Sequence, residues 1–262
     1  IYFFQRSYSL FFVYLSVLRD SPLAFIIIIL ALCASLLLGL VLHELIHGFI
    51  AYRLGDPTAR DQGRLSLNPL VHLDPFGSAL IFFVGFGWAK PVPINPNYFK
   101  EPIKHMSYVA LAGPLSNIVI AAIFSIPFIL GIITPSHPLV PPDYADIIIA
   151  FSRQSIPNLV GLFFGTIVFV NTTLAVFNLI PIPPLDGFKV LLGILPDNFA
   201  IKMLNLEKWG SGILIVLVLL PFLSSGAVSP LWWFISPIRD IFISLFAESM
   251  NDWSFMLNEL IK

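Results

Sequence analysis

The sequence predicts an all-α polytopic membrane protein, with about five to six transmembrane helices and a short re-entrant or β-hairpin element after the first of them. Two observations carry that class. Of 262 residues, 57% are hydrophobic and 11% are charged, where a soluble domain carries about a quarter charged residues. The apolar residues also fall into runs that approach the roughly 20 residues a helix needs to cross a bilayer. This hydrophobicity, at a net charge of −1, excludes intrinsic disorder. The chain has no basic stripe, which argues against a nucleic-acid partner. Its single cysteine, Cys33, excludes an intrachain disulfide and a thiolate zinc site.

Residues 1–21 form the first segment. Leu10 to Leu18 are apolar but short, with Arg6, Arg19 and Asp20 nearby, and read as an interfacial helix; a sixth span is the alternative. A transmembrane domain follows over 22–247. Its first run, Pro22 to Ile50, is too long and too apolar for a signal peptide and lacks a small-residue cleavage site. Phe76 to Trp88 is apolar, too short to cross as a helix, and leads into the proline cluster AKPVPINP. A re-entrant or hairpin element fits it, because irregular backbone survives at membrane depth only where protein covers it or it lines a wet cavity. Four further runs cover Ser107 to Ile133, Leu159 to Ile180, Ile213 to Leu223 (extending back through Trp209) and Pro230 to Phe246. Residues 248–262 place Met250, Trp253, Leu257 and Leu260 at helical spacing, as an amphipathic surface tail does.

Charge orients these spans. Arg53, Arg60, Arg64, Lys90, Lys100 and Lys104 lie between the first two runs, and Lys189, Lys202 and Lys208 between the third and fourth. The loop from Thr134 to Asn158 has only Arg153. The positive-inside rule puts the basic loops in the cytoplasm. Two smaller features read as packing devices or solvated loop. Gly161 and Gly165 form a GxxxG, a helix-packing pattern, and His137 sits in a proline-rich outer loop, where a solvated ring is expected.

The first run ends in LVLHELIHGFIAYRL. His43 and His47 are four apart, so on a helix both rings leave the same face, one turn apart. Two neutral imidazole nitrogens so placed can hold one Zn²⁺, and Glu44 beside the first can take a proton from a water held there; this is the HExxH pattern. Ionisable groups at membrane depth are costly and mark function. A catalytic zinc site needs a third protein ligand. His72, Asp74, His105 and Asp186 are all candidates, and spacing alone does not choose among them.

HELIH on a membrane helix, followed far downstream by NLIPIPPLDG, resembles the site-2 protease family of intramembrane zinc metalloproteases. The intervening GDPTARDQGRLSLNPLVHLDPFGSALIFFVGFGWAKPVPINP and ALAGPLSN resemble its small bacterial and archaeal branch, which lacks PDZ and CBS modules. The resemblance covers residues 22–192. It implies one zinc per chain, held by His43, His47 and Asp186, with Glu44 as catalytic base. It implies that Asn178 binds substrate or polarises the scissile carbonyl. His72 falls in a motif typical of the branch, where it lines the site or organises the loop. The expected activity is hydrolysis of transmembrane protein or peptide substrates near the cytoplasmic side of the cell membrane, with the lipid bilayer as surroundings. Two other readings stand beside it: a membrane metallopeptidase acting on soluble peptides, and a non-catalytic metal-binding scaffold. The glycine- and proline-rich stretch from Phe76 to Pro96 has two readings: an edge with which an unwound substrate can pair, or a plug that only closes the cytoplasmic face.

Overall fold

In hydrocarbon every backbone N–H and C=O must find a partner within the segment itself, which makes helices the expected outcome for these apolar runs. The computed structural model describes residues 17–75, 77, 87–137, 150, 153, 155–224 and 228–246. There, each of the five predicted runs is a helix. They are α1 (Pro22–Arg53), α2 (Pro102–Ile129), α3 (Ile156–Asn178), α6 (Glu207–Leu223) and α7 (Pro230–Phe246). Two short helices, α4 (Asp186–Ile194) and α5 (Asp197–Leu204), precede α6 and have no counterpart in the sequence reading. Three helices, α1 to α3, are long and apolar enough to cross a membrane, and the pair α5 and α6, bent by 65°, makes a fourth if taken as one span. With 17 residues, α7 is about 26 Å long at 1.5 Å per residue, just under the hydrocarbon thickness. Length and composition therefore support three or four spans among the described residues.

The exposed faces fit this placement. Leu115, Val119, Ile123 and Ile126 form an exposed apolar stripe at helical spacing along α2. Such a stripe is unfavourable in water and at home against lipid. Some hydroxyls inside the helices are satisfied by their own backbone: Ser35 donates to the Ala31 carbonyl and Thr166 to that of Leu162, each at 2.6 Å. The α2 helix stops at Ile129, short of the apolar run, which continues to Ile133. Gly131 takes φ +65, and its N–H and that of Ile132 close back on Phe128 and Pro127. This is the left-handed termination that glycine allows, and hydropathy does not register it.

The chain divides into two compact units. One comprises Ile1–Leu36, Val119–Thr173 and Leu219–Lys262. Its core gathers Ala121, Phe128, Val168, Phe169 and Ile243. Here, among the described residues, the GxxxG of α3 receives the chain after α2. A Cβ on Gly161 would lie 2.0 Å from the Thr134 carbonyl oxygen, and one on Gly165 would lie 2.0 Å from that of Ser136. The two glycines thus seat the chain that follows α2, and this draws His137 inside. His137 is 4% exposed, so the expectation of a solvated ring is corrected.

The other unit comprises Leu37–Ile118 and Leu174–Val218. Ala51, Phe99 and Val109 form one core, and Phe188, Leu192 and Ala200 another. After α1 the chain makes one helical turn, Thr58–Asp61, and two 3-10 turns, Pro69–Val71 and Pro96–Tyr98. Asn68 and Asn95 cap the latter pair by accepting from Leu70 and Asn97 N–H groups. Leu73 and Ala89 form one antiparallel bridge, and no strand occurs among the described residues. The tip of the predicted hairpin, most of the N-terminal segment and the C-terminal tail lie outside the described residues.

Candidate metal centre

The second unit holds the residues the sequence singled out. On α1, His43 and His47 lie one turn apart as expected, with ring centroids 4.5 Å apart and each residue 6% exposed. Asp186, the first residue of α4, faces them. Its Oδ2 stands 3.0 Å from Nε2 of His43 and 3.2 Å from Nε2 of His47. Among the described residues, these three are the group whose ligand atoms come together, all within 4.8 Å of one another. His72, Asp74 and His105 are not part of it.

The other ring nitrogens explain why the Nε2 atoms face inward. His47 Nδ1 lies 2.7 Å from the Val109 carbonyl, which can only accept, so Nδ1 carries the proton. His43 Nδ1 lies 2.7 Å from Oδ1 of Asn117, whose Nδ2 donates to the Gly39 carbonyl and so fixes the orientation of the amide. That proton also sits on Nδ1. If Nε2 donated to Asp186 as well, both rings would be cations sharing one carboxylate oxygen. With neutral rings, two bare Nε2 lone pairs and a carboxylate point at one spot. Ligands about 2.0–2.1 Å from a tetrahedral zinc are separated by about 3.3 Å, close to the distances found. The donor set fits zinc.

Three further residues contribute to this geometry, and the sequence reading missed the roles of two of them, Asn117 and Val109. Asn117 and the Val109 carbonyl set the tautomers of the two histidines. Gly113 makes room, since a Cβ there would lie 2.5 Å from His47 Nε2 and 2.6 Å from His43 Nε2. Asn117 is a fully buried amide inside an apolar helix, and that was its available signal; a backbone carbonyl carries none. Glu44 accepts a hydrogen bond from the Val92 N–H at 2.8 Å. Asn178 ends α3, with its Nδ2 donating to the Leu174 carbonyl. His72 donates from Nε2 to the Ser66 carbonyl, and its own carbonyl accepts from Lys90 N–H, so it ties the loop together. Asp74 accepts from Gly77 N–H as a turn residue, and His105 packs among the rings of Phe99 and Tyr108.

The family model for peptidase family M50 matches residues 31–221, a stretch that includes every residue of this centre. The chain belongs to peptidase family M50. This is the site-2 protease family that the sequence resembles. Among named relatives, the M50 chain is 37% identical over 216 residues to "Putative zinc metalloprotease YwhC" of Bacillus subtilis (strain 168), covering 82% of this chain and 90% of that one. Rip2 of Mycolicibacterium smegmatis (strain ATCC 700084 / mc(2)155), named in the same way, is 28% identical over 244 residues, 89% of this chain and 84% of its own. MJ0611 of Methanocaldococcus jannaschii (strain ATCC 43067 / DSM 2661 / JAL-1 / JCM 10045 / NBRC 100440), likewise named, is 32% identical over 171 residues, 65% of this chain and 72% of its own. No solved structure matches the chain. Family membership and these relatives make the protein a membrane metalloprotease dependent on zinc.

Proposed function

We propose that the protein is an intramembrane endopeptidase that cleaves transmembrane substrates near the cytoplasmic side of the cell membrane. His43, His47 and Asp186 are its zinc ligands and Glu44 its base. The observation that carries this reading is the meeting of two Nε2 atoms and one carboxylate oxygen beside Glu44, at the end of a long apolar helix. When bound, zinc supplies Lewis-acid activation of water and of the scissile carbonyl. Glu44 takes the proton of the attacking water and passes it to the leaving amine. Asn117 and Val109 hold the histidine rings in the tautomers the site needs. Asn178 is the candidate donor to the developing oxyanion, for which its Nδ2 must leave the Leu174 carbonyl.

Sidedness rests on the basic residues between the first two spans and between the third and fourth. A topology of five spans, with α7 as the fifth, places Asp186 on the same side as His43 and His47. A helical substrate must unwind before its carbonyls can be attacked, because they are bonded internally. The chain around Pro91 and Pro93 is the surface with which an unwound segment pairs.

The test reconstitutes the chain in nanodiscs with a single-span helix peptide carrying a fluorophore–quencher pair, beside a soluble peptide of the same cleavable sequence. The proposal predicts cleavage of the spanning peptide, and none by a zinc-loaded Glu44→Gln chain. Preferential cleavage of the soluble peptide contradicts the intramembrane assignment.

A further inference from the structure

The Val92 N–H that reaches Glu44 belongs to the segment Pro91-Val92-Pro93, in which Val92 carries the only backbone N–H. The segment is clamped on both sides. Lys90 N–H donates to the His72 carbonyl, Arg64 donates to the Lys90 carbonyl at 2.7 Å, and Asn95 N–H donates to buried Asp56 at 2.7 Å. Pro91 has a fixed φ, and a residue before proline, as Val92 is, is held in extended backbone. Val92 is 7% exposed. Its seat is Gly48, one turn beyond Glu44 on the same helix face. A Cβ on Gly48 would lie 3.0 Å from Val92 Cγ1 and 2.8 Å from Leu65 Cδ2. The glycine of HELIHG therefore lets the proline-flanked chain lie against α1 close enough for one amide to reach the carboxylate.

We propose that Val92 is a positioning residue for Glu44: its backbone N–H, aimed by the flanking prolines and seated on Gly48, holds one carboxylate oxygen and leaves the other to act as base. This rests on the assignment of Glu44 as the base. An N–H to a carboxylate is among the stronger hydrogen bonds a protein makes. It removes rotamer freedom from a side chain that must meet water and leaving group in one orientation.

Two measurements on the full chain test it. The first is hydrogen exchange of the Val92 amide in wild type and Glu44→Ala, read on peptides in which residues 91–93 contribute that single exchangeable amide. Exchange is expected to rise by about tenfold or more in Glu44→Ala, while the Asn95 amide, bonded to Asp56, stays protected. Unchanged exchange at Val92 overturns the proposal, and this readout does not depend on any proteolysis. The second is cleavage of the labelled spanning peptide by Val92→Pro, which lacks the N–H, beside Val92→Ala, which keeps it. In folded, zinc-loaded Val92→Pro, kcat is expected to fall by about tenfold or more with KM little changed, and Val92→Ala is expected to recover most of that loss. Wild-type kcat in Val92→Pro overturns the proposal; if Val92→Pro does not fold, the exchange result decides. A wild-type chain no more active than Glu44→Gln overturns the protease reading of the site instead.

Discussion

His43 and His47 in one unit and His137 in the other are withdrawn from water to nearly the same degree, yet their surroundings differ in kind. The pair on α1 has each Nδ1 committed to an oxygen, Asn117 Oδ1 or the Val109 carbonyl, and each Nε2 turned on Asp186. His137 instead stacks on Phe169 with ring centroids 3.9 Å apart, and the Arg239 guanidinium lies 4.8 Å over the same Phe169 ring. Burial, with Arg239 adding to it, pushes the His137 pKa down to about 3. Burial alone therefore does not mark a metal ligand. What marks the α1 pair is a carboxylate opposite two rings whose tautomers are already set.

Several substitutions break or sharpen that contrast. The largest effect is expected on catalysis. Glu44→Gln should lower cleavage of a spanning peptide by about 100-fold or more while zinc per chain stays as in wild type. Loss of zinc in that variant would make Glu44 part of the metal site. Next comes the support of the ligands. Asn117→Ala releases His43 Nδ1, and zinc affinity measured by chelator competition should fall by about 10–100-fold. Gly113→Ala drives a methyl into both Nε2 atoms and should lower zinc content at unchanged helix content by circular dichroism.

The smallest effect belongs to the other region. His137→Phe should leave zinc per chain untouched and change only the acid dependence of stability. Wild-type His137 stays neutral in the fold down to about pH 3, whereas the unfolded ring takes a proton near pH 6.5. Its contribution is therefore whole above pH 6.5 and is lost as pH falls towards 3, at up to about 1.4 kcal/mol per pH unit. Thermal unfolding of His137→Phe should show a shallower decline over that window, and an equal decline would place the acid sensitivity elsewhere.

The parts of this account legible in the sequence were those that recur at a fixed spacing. HELIH placed two rings and a carboxylate on one helix because position on a helix follows from number alone. The helical class followed from apolar runs that only helices can satisfy. Asp186 was one of four candidates until the resemblance favoured it, because the meeting of residues 43 and 186 is a fact of tertiary packing. Asn117 stood in a quoted stretch, ALAGPLSN, without a role, and Val109 could not be found at all, since it acts through its carbonyl. His137 was misread because a proline-rich loop reads as surface, and the glycines that draw the chain inward were assigned to a helix partner. The short helices α4 and α5 went unseen for want of length.

The most direct measurement is zinc per chain in detergent-purified wild type and Asp186→Ala, with thermal unfolding as the control for folding. The three-ligand account predicts about one zinc in wild type and nearly none in a variant that still unfolds cooperatively, because a catalytic site needs its third protein ligand. A folded Asp186→Ala chain that keeps a full zinc would contradict the account.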